Sequence, residues 1–257
     1  MTDARLPLDI DLTASRPGLA RLTTARIALG RAGQALPTGP MLAFQLAHAR
    51  AKDAVHAPLD IAALRAALPL TSVVVFSAAA DRQSYLRNPA LGRQLAPDGP
   101  ALPKSAPDLA IIIADGLSAA AVNAHAALLV RALLPLLDGW TFGPIAIAHQ
   151  GRVALGDSVG EAMKARATLV LIGERPGLSA ADSLGAYLTW APRLGRRDHE
   201  RNCVSNIRGD GGLPPQEAAL KISWLLQEAR RLGFTGVDLK DRQNAPTLAA
   251  ARTLLPS

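Results

Sequence analysis

Residues Thr168–Gly177 read TLVLIGERPG, an apolar run without polar alternation that breaks into a turn of Gly, charge and Pro. A strand with one wet face alternates; a continuous Val/Ile/Leu run is covered on both faces, as in a parallel sheet. Three earlier runs share the pattern, at Ser72–Phe76, Ala110–Ala114 and Pro144–Ala148. Helical patterns lie between and after them at Ser118–Leu137 and Ser158–Arg166. A last helix is expected over Pro215–Leu232, with prolines at its start and Gly233 just past its end. This alternation, with right-handed crossovers, predicts a doubly wound, mostly parallel, Rossmann-like α/β domain over residues 71–257. Residues 1–70 read as a small helical region in front of it. A first helix is expected from Ser15–Gly18 through Leu19, Leu22, Ile27 and Leu29, with Gly30–Gly33 in helical context. A second runs through Met41, Phe44, Leu46, Ala49 and Val55, and a third over Leu59–Leu68.

With 257 residues, 49% of them apolar, the chain can bury a substantial core and leaves the disordered class. The amino-terminal MTDARLPLDIDL has an early acid and no basic n-region, so it is not read as a secretory signal. Asn123, His125 and Arg131 interrupt the apolar stretch Leu117–Leu137, which argues for a buried helix and against a membrane partner. A single cysteine excludes an internal disulfide and fits a reducing, cytoplasmic setting. The net charge of +7 and pI near 10.3 invite a nucleic-acid reading. Most of the 28 basic residues are Arg, however, dispersed singly among acids with no aromatic ladder. Nucleic acid is therefore not an expected partner.

Several chemistries lack their motifs. No GxGxxG follows a strand, no Walker loop is present, and no GxSxG marks a nucleophile elbow. The five histidines (48, 56, 125, 149, 199) show no metal-ligand spacing. His125 reads as a core or interface residue. Asp115–Gly116–Leu117–Ser118 closes one strand and opens a helix. Ser118 as a plain N-cap, or the helix N–H groups offered to an anionic or amide-rich ligand, are both open readings. Gly151–Asp157, GRVALGD, reads as a turn or short hairpin between core elements. Glu174 follows a buried strand, where a carboxylate needs a partner or a ligand. Pairing with Arg175 on the surface and contacting a ligand at the strand's carboxyl end both account for it. Cys203, in RNCVSNI (Arg201–Ile207), starts a second apolar run, and a free cysteine most often packs as a small buried hydrophobe.

The same segments carry a family resemblance. ARIALGRAG (Ala25–Gly33) followed by PTGPMLAF, HARAKDAVH (His48–His56) and YLRNPALGRQL (Tyr85–Leu95) are joined by DLAIIIADGLSAAAV (Asp108–Val122). GRVALGDSVGE (Gly151–Glu161), GERPG (Gly173–Gly177) and RNCVSNI complete the order. Together they resemble the small (light) subunit of adenosylcobalamin-dependent ethanolamine ammonia-lyase over nearly the whole chain. The chain departs from that family's pattern at Ala47 and at Arg87–Asn88–Pro89–Ala90. The resemblance implies conversion of ethanolamine to acetaldehyde and ammonia by radical rearrangement, in a hetero-oligomer. A large barrel subunit would hold ethanolamine and the catalytic residues, while this chain docks on it through residues 1–70 and covers the cobalamin with residues 71–257. Val153, Glu174 and Cys203 are implied as cofactor contacts, with no catalytic residue and no metal ligand in this chain. No Asp-x-His-x-x-Gly run is present, so the implied cofactor is base-on adenosylcobalamin, keeping dimethylbenzimidazole on cobalt. Packaging in a bacterial microcompartment stays open. The alternative from another class is a non-catalytic α/β ligand-binding or scaffold module for a different nucleotide-like ligand.

Overall fold

A computed structural model describes residues 25–27 and 29–242. The chain divides after Arg50 into two compact units. In the first, Gly30 and Gly33 take left-handed φ values of +79° and +62°, Gly33 inside a turn closed by the bridge between Ala32 and Ala35 and Gly30 just before it. That conformation corrects the helical reading of Gly30–Gly33, Ile27 and Leu29, because glycine enters the left-handed region where a right-handed helix would break. The remainder of the first expected helix, Ser15–Gly18 with Leu19 and Leu22, lies outside the described residues. The second expected helix is present as α1 (Thr38–His56), which runs across the division. Pro40 sits in its first turn, where a missing N–H has no intrahelical acceptor to lose.

The second unit begins with α2 (Ile61–Ala67), whose N-cap Asp60 accepts from the Ala63 amide at 2.9 Å. β1 (Ser72–Phe76), the short α3 (Arg82–Arg87), β2 (Leu109–Ala114) and α4 (Ala119–Leu133) follow. Then come β3 (Ile145–His149), α5 (Leu155–Met163) and β4 (Ala167–Gly173). The chain continues through β5 (Leu184–Trp190) and β6 (Asn202–Ile207) to α6 (Pro215–Leu232). The strand order is β1-β3-β2-β4-β5-β6, and the first four are parallel in it. All four expected parallel strands are present, and the last helix has the expected ends, with Gly233 at φ +80° as its C-cap.

The sheet's two faces bury different sets. Leu109, Ile111 and Ile113 of β2 point to α4, α6 and Leu64 of α2, in the larger core layer. Ala110, Ile112 and Ala114 point the other way, to Leu155, Val159 and Met163 of α5. Because β2 and β4 are buried at every position, their period-2 side chains must satisfy both layers, which is why they read as unbroken apolar runs. α4 is a core helix: Ala121, Val122, Ala126, Leu129, Val130 and Leu133 are fully buried against the sheet and α6.

The sheet is mixed at one edge. β5 returns antiparallel to β4, and β6 antiparallel to β5 with a bulge between Leu184 and Ala186. The reading of RNCVSNI as a second apolar run is therefore corrected. β6 buries Val204 and Ile207 but exposes Cys203, Ser205 and Asn206, as an edge strand does.

Candidate functional site at the carboxyl edge of the sheet

The crossover after β2 packs on one face and the crossover after β3 on the other. Their carboxyl ends therefore frame a topological switch point, where open α/β sheets present their ligand crevice. Asp115 bridges the two exits, accepting from the Gln150 amide at 2.9 Å and the Gly151 amide at 3.1 Å. Burial pushes its carboxyl pKa up against those bonds and against Arg82, 3.8 Å away. Arg82 in turn donates to the carbonyls of Gly116 at 2.7 Å and Val55 at 2.7 Å. Asp115 thus joins two loops and is engaged on both oxygens.

The two readings of the Asp115–Ser118 turn are decided by packing. Ser118 Oγ accepts from the Ala121 amide at 3.2 Å and donates to the Ala181 carbonyl at 2.8 Å. Ser118, Ala119 and Ala121 are buried, so the N-terminus of α4 is covered by protein and Ser118 is a plain N-cap. Gly116 adopts φ +56°, and a Cβ there would lie 2.3 Å from the Gly173 carbonyl oxygen. Only glycine lets this turn close onto the end of β4.

Beside this turn lies a cleft of about 390 Å³, lined by Tyr85, Arg152, Val153, Glu174, Arg175 and Tyr187 among others. Val153 and Glu174, distant in sequence, share it. The GRVALGD segment forms a turn and the opening of α5, not a hairpin. Glu174 is half-buried and does not pair with Arg175. Its Oε2 accepts from Ser183 Oγ at 2.5 Å and from the Asn206 amide at 3.3 Å, and Oε1 from Ser205 Oγ at 2.6 Å. A carboxylate offers about four lone-pair positions, so one on Oε1 remains for a further donor.

Cys203 is placed apart. It faces Tyr187 across the β5–β6 pair and lines a second groove, of about 470 Å³, together with Lys221, Val237 and Lys240. The side chain is exposed, which corrects the buried-hydrophobe reading. Packing against the sheet raises its thiol pKa and the Glu174 charge adds to this, against a lowering hydrogen bond with Tyr187. The thiol is accordingly neutral near pH 7 and is no activated nucleophile.

Sequence reading missed Tyr85, Arg152 and Tyr187. Tyr85 is wholly buried, donates to the Gly151 carbonyl at 3.0 Å, and carries the Arg152 guanidinium 4.6 Å from its ring centroid. Burial pushes its phenol up to about 12, so it remains a neutral donor. Arg152 sits beside Val153 in a segment already singled out. Its stacking partner comes from α3, and nothing in the local sequence announces that pairing. His125 is bound to Asp182, with Nε2 3.2 Å from Oδ2.

Together these features define an open, mostly parallel α/β protein with a cleft at its switch point. Each buried carboxylate there is held by protein donors. A family model described as ethanolamine ammonia-lyase light chain (EutC) matches residues 15–240. The chain is 51% identical over 242 residues to the ethanolamine ammonia-lyase small subunit of Xanthomonas campestris pv. campestris, covering 90% of this chain and 89% of that one. It is 49% identical over 265 residues to the small subunit of Ralstonia nicotianae, with 98% of each chain covered. For Bradyrhizobium diazoefficiens the small subunit is 55% identical over 233 residues, covering 87% of this chain and 89% of that one. The chain belongs to the ethanolamine ammonia-lyase small-subunit family, and so to a carbon–nitrogen lyase.

Proposed function

We propose that this chain is the cofactor-covering subunit of an adenosylcobalamin-dependent ethanolamine ammonia-lyase. It assembles in the cytoplasm with a large barrel subunit that holds ethanolamine, in a higher-order hetero-oligomer. The observation that carries the reading is that Val153 and Glu174 meet in one cleft at the switch point, beside an arginine whose Nε is buried without a partner. These residues fit a corrinoid. Val153 offers a β-branched apolar surface to the macrocycle, and Glu174 Oε1 keeps a lone pair for an amide of its rim. Cys203, one strand outward on an exposed edge, would meet the cofactor's periphery through its small size and backbone.

When bound, the cofactor supplies the radical by homolysis of its cobalt–carbon bond. The residues of this chain bind, orient and exclude water. Ser183, Ser205 and the Asn206 amide hold Glu174 in one geometry before any ligand arrives, which limits the entropy lost on binding. Tyr85 and Tyr187, both raised in pKa, stay neutral and close the cleft walls. The missing Asp-x-His-x-x-Gly run supports a cofactor that retains its own base on cobalt.

The test is to assay the purified chain with ethanolamine and adenosylcobalamin, alone and assembled with the large subunit. We expect acetaldehyde and corrinoid absorbance bands only from the complex. Acetaldehyde from the small subunit alone would refute the division of labour, and a complex that retains no corrinoid would refute the cofactor assignment.

A further inference from the structure

The charge in the cleft is one-sided. Glu174 is the carboxylate among the lining residues, and three protein donors already engage it. Two guanidiniums line the same cleft, those of Arg152 and the exposed Arg175. Neither forms an ion pair or a side-chain hydrogen bond with any described residue, and Arg152 Nε is buried without a partner. Arg152 is half-buried, and its Nε donor, shut off from water with no acceptor, is an unmet hydrogen bond that an anion in the cleft would satisfy.

Arg152 is also held in position. Its amide donates to the Gly92 carbonyl at 2.7 Å, and its guanidinium stacks over the buried Tyr85 ring. A Cβ on Gly92 would lie 2.9 Å from Arg152 Cγ and 2.7 Å from Tyr85 Cε2, so glycine there lets the turn seat the arginine against the tyrosine. Stacking fixes the plane of the guanidinium at the cleft wall, and a planar guanidinium can bind a phosphate through two parallel hydrogen bonds.

We propose that Arg152 binds the phosphodiester of the cofactor's nucleotide loop, with Arg175 as a second cation of the same subsite; the proposal rests on the cobalamin reading of this cleft. Of the groups on cobalamin's periphery the amides are neutral, and the phosphodiester is the anion. The cleft thereby selects complete cobalamins over corrinoids that lack the nucleotide loop.

The test uses the full complex with the large subunit and three probes: cyanocobalamin, dicyanocobinamide, and cobinamide phosphate, which keeps the phosphate but lacks ribose and base. Affinities are read by equilibrium dialysis and corrinoid absorbance, independently of turnover. Arg152→Gln should weaken cyanocobalamin about ten- to hundredfold, weaken cobinamide phosphate as well, and leave cobinamide unchanged. Arg152→Met keeps the aliphatic stem over Tyr85 and should behave alike, while Arg152→Lys restores part of the affinity. Arg175→Gln, at an exposed position, should give a smaller loss confined to the two phosphate-bearing probes. Equal losses for all three probes would assign Arg152 to the fold, and unchanged cyanocobalamin affinity would show that it meets no phosphate; either result overturns the proposal. A wild-type complex that binds none of the probes overturns the cofactor reading itself, a failure visible before any variant is made.

Discussion

Glu174 carries two demands at once. Its carboxylate accepts from Ser183 in the loop before β5 and from Ser205 and the Asn206 amide in β6, so it fastens the end of β4 to the two antiparallel strands. It also lines the cleft. A reading in which it serves the cofactor alone, with no share in stability, is too narrow. Hydrogen bonds to a charged acceptor contribute more than neutral ones, and their donors are left unpaired when it is removed. Glu174→Ala should therefore destabilise the chain by about 1–3 kcal/mol and weaken cobalamin in the assembled complex as well. Glu174→Gln keeps an acceptor oxygen and should lose less stability. Thermal melts of the apo chain together with cobalamin titrations of the complex separate the two effects. Unchanged melting in Glu174→Ala would contradict the fastening role.

Among the elements, α5 and the start of β6 are joined by an ion pair that no sequence pattern signals. Arg201 donates to Asp157 through both terminal nitrogens, at 2.7 and 2.6 Å, and to Thr189 Oγ1 of β5 at 2.7 Å. Both charged side chains are only 2% exposed. Removing one partner of such a pair strands a buried charge. Arg201→Ala should therefore destabilise by about 3–5 kcal/mol, whereas the apolar double replacement Arg201→Met with Asp157→Leu should lose much less. Urea denaturation of the four members of that cycle measures the coupling, and a double variant as unstable as Arg201→Ala would contradict the argument. The same region shows why β5 and β6 were not legible as strands. β5 is interrupted by Gly185 at a bulge, and β6 buries only Val204 and Ile207, three positions apart, so it shows neither alternation nor a continuous apolar run. A search for continuous apolar runs finds strands buried on both faces and passes over these.

Assembly belongs to the whole molecule. Leu36, Met41, Leu42, Phe44 and Leu46 of the first compact unit are exposed, a concentration of apolar side chains that suits a protein interface. This supports the proposed role of residues 1–70 in docking the large subunit, and the structure says where to cut. Leu64 and Leu68 belong to the larger core layer, so a deletion through residue 70 would open the α/β core. Deleting residues 1–50 should weaken binding to the large subunit while the remainder melts cooperatively. Sedimentation of the mixed subunits reads the assembly, and a truncated chain that assembles with normal affinity would contradict the role.

The sequence by itself determined the four parallel strands, the ends of the last helix and the family, because runs, caps and motifs are local signals. It also singled out Val153 and Glu174 through their segments. What covers each side chain was decided only in three dimensions. The α4 N-terminus is sealed by the loop before β5, Cys203 is exposed because β6 is an edge, and Arg152 stacks on a tyrosine from α3. Each of these depends on strand order and register. Those follow from burying both sheet faces at once, which no single stretch of chain records.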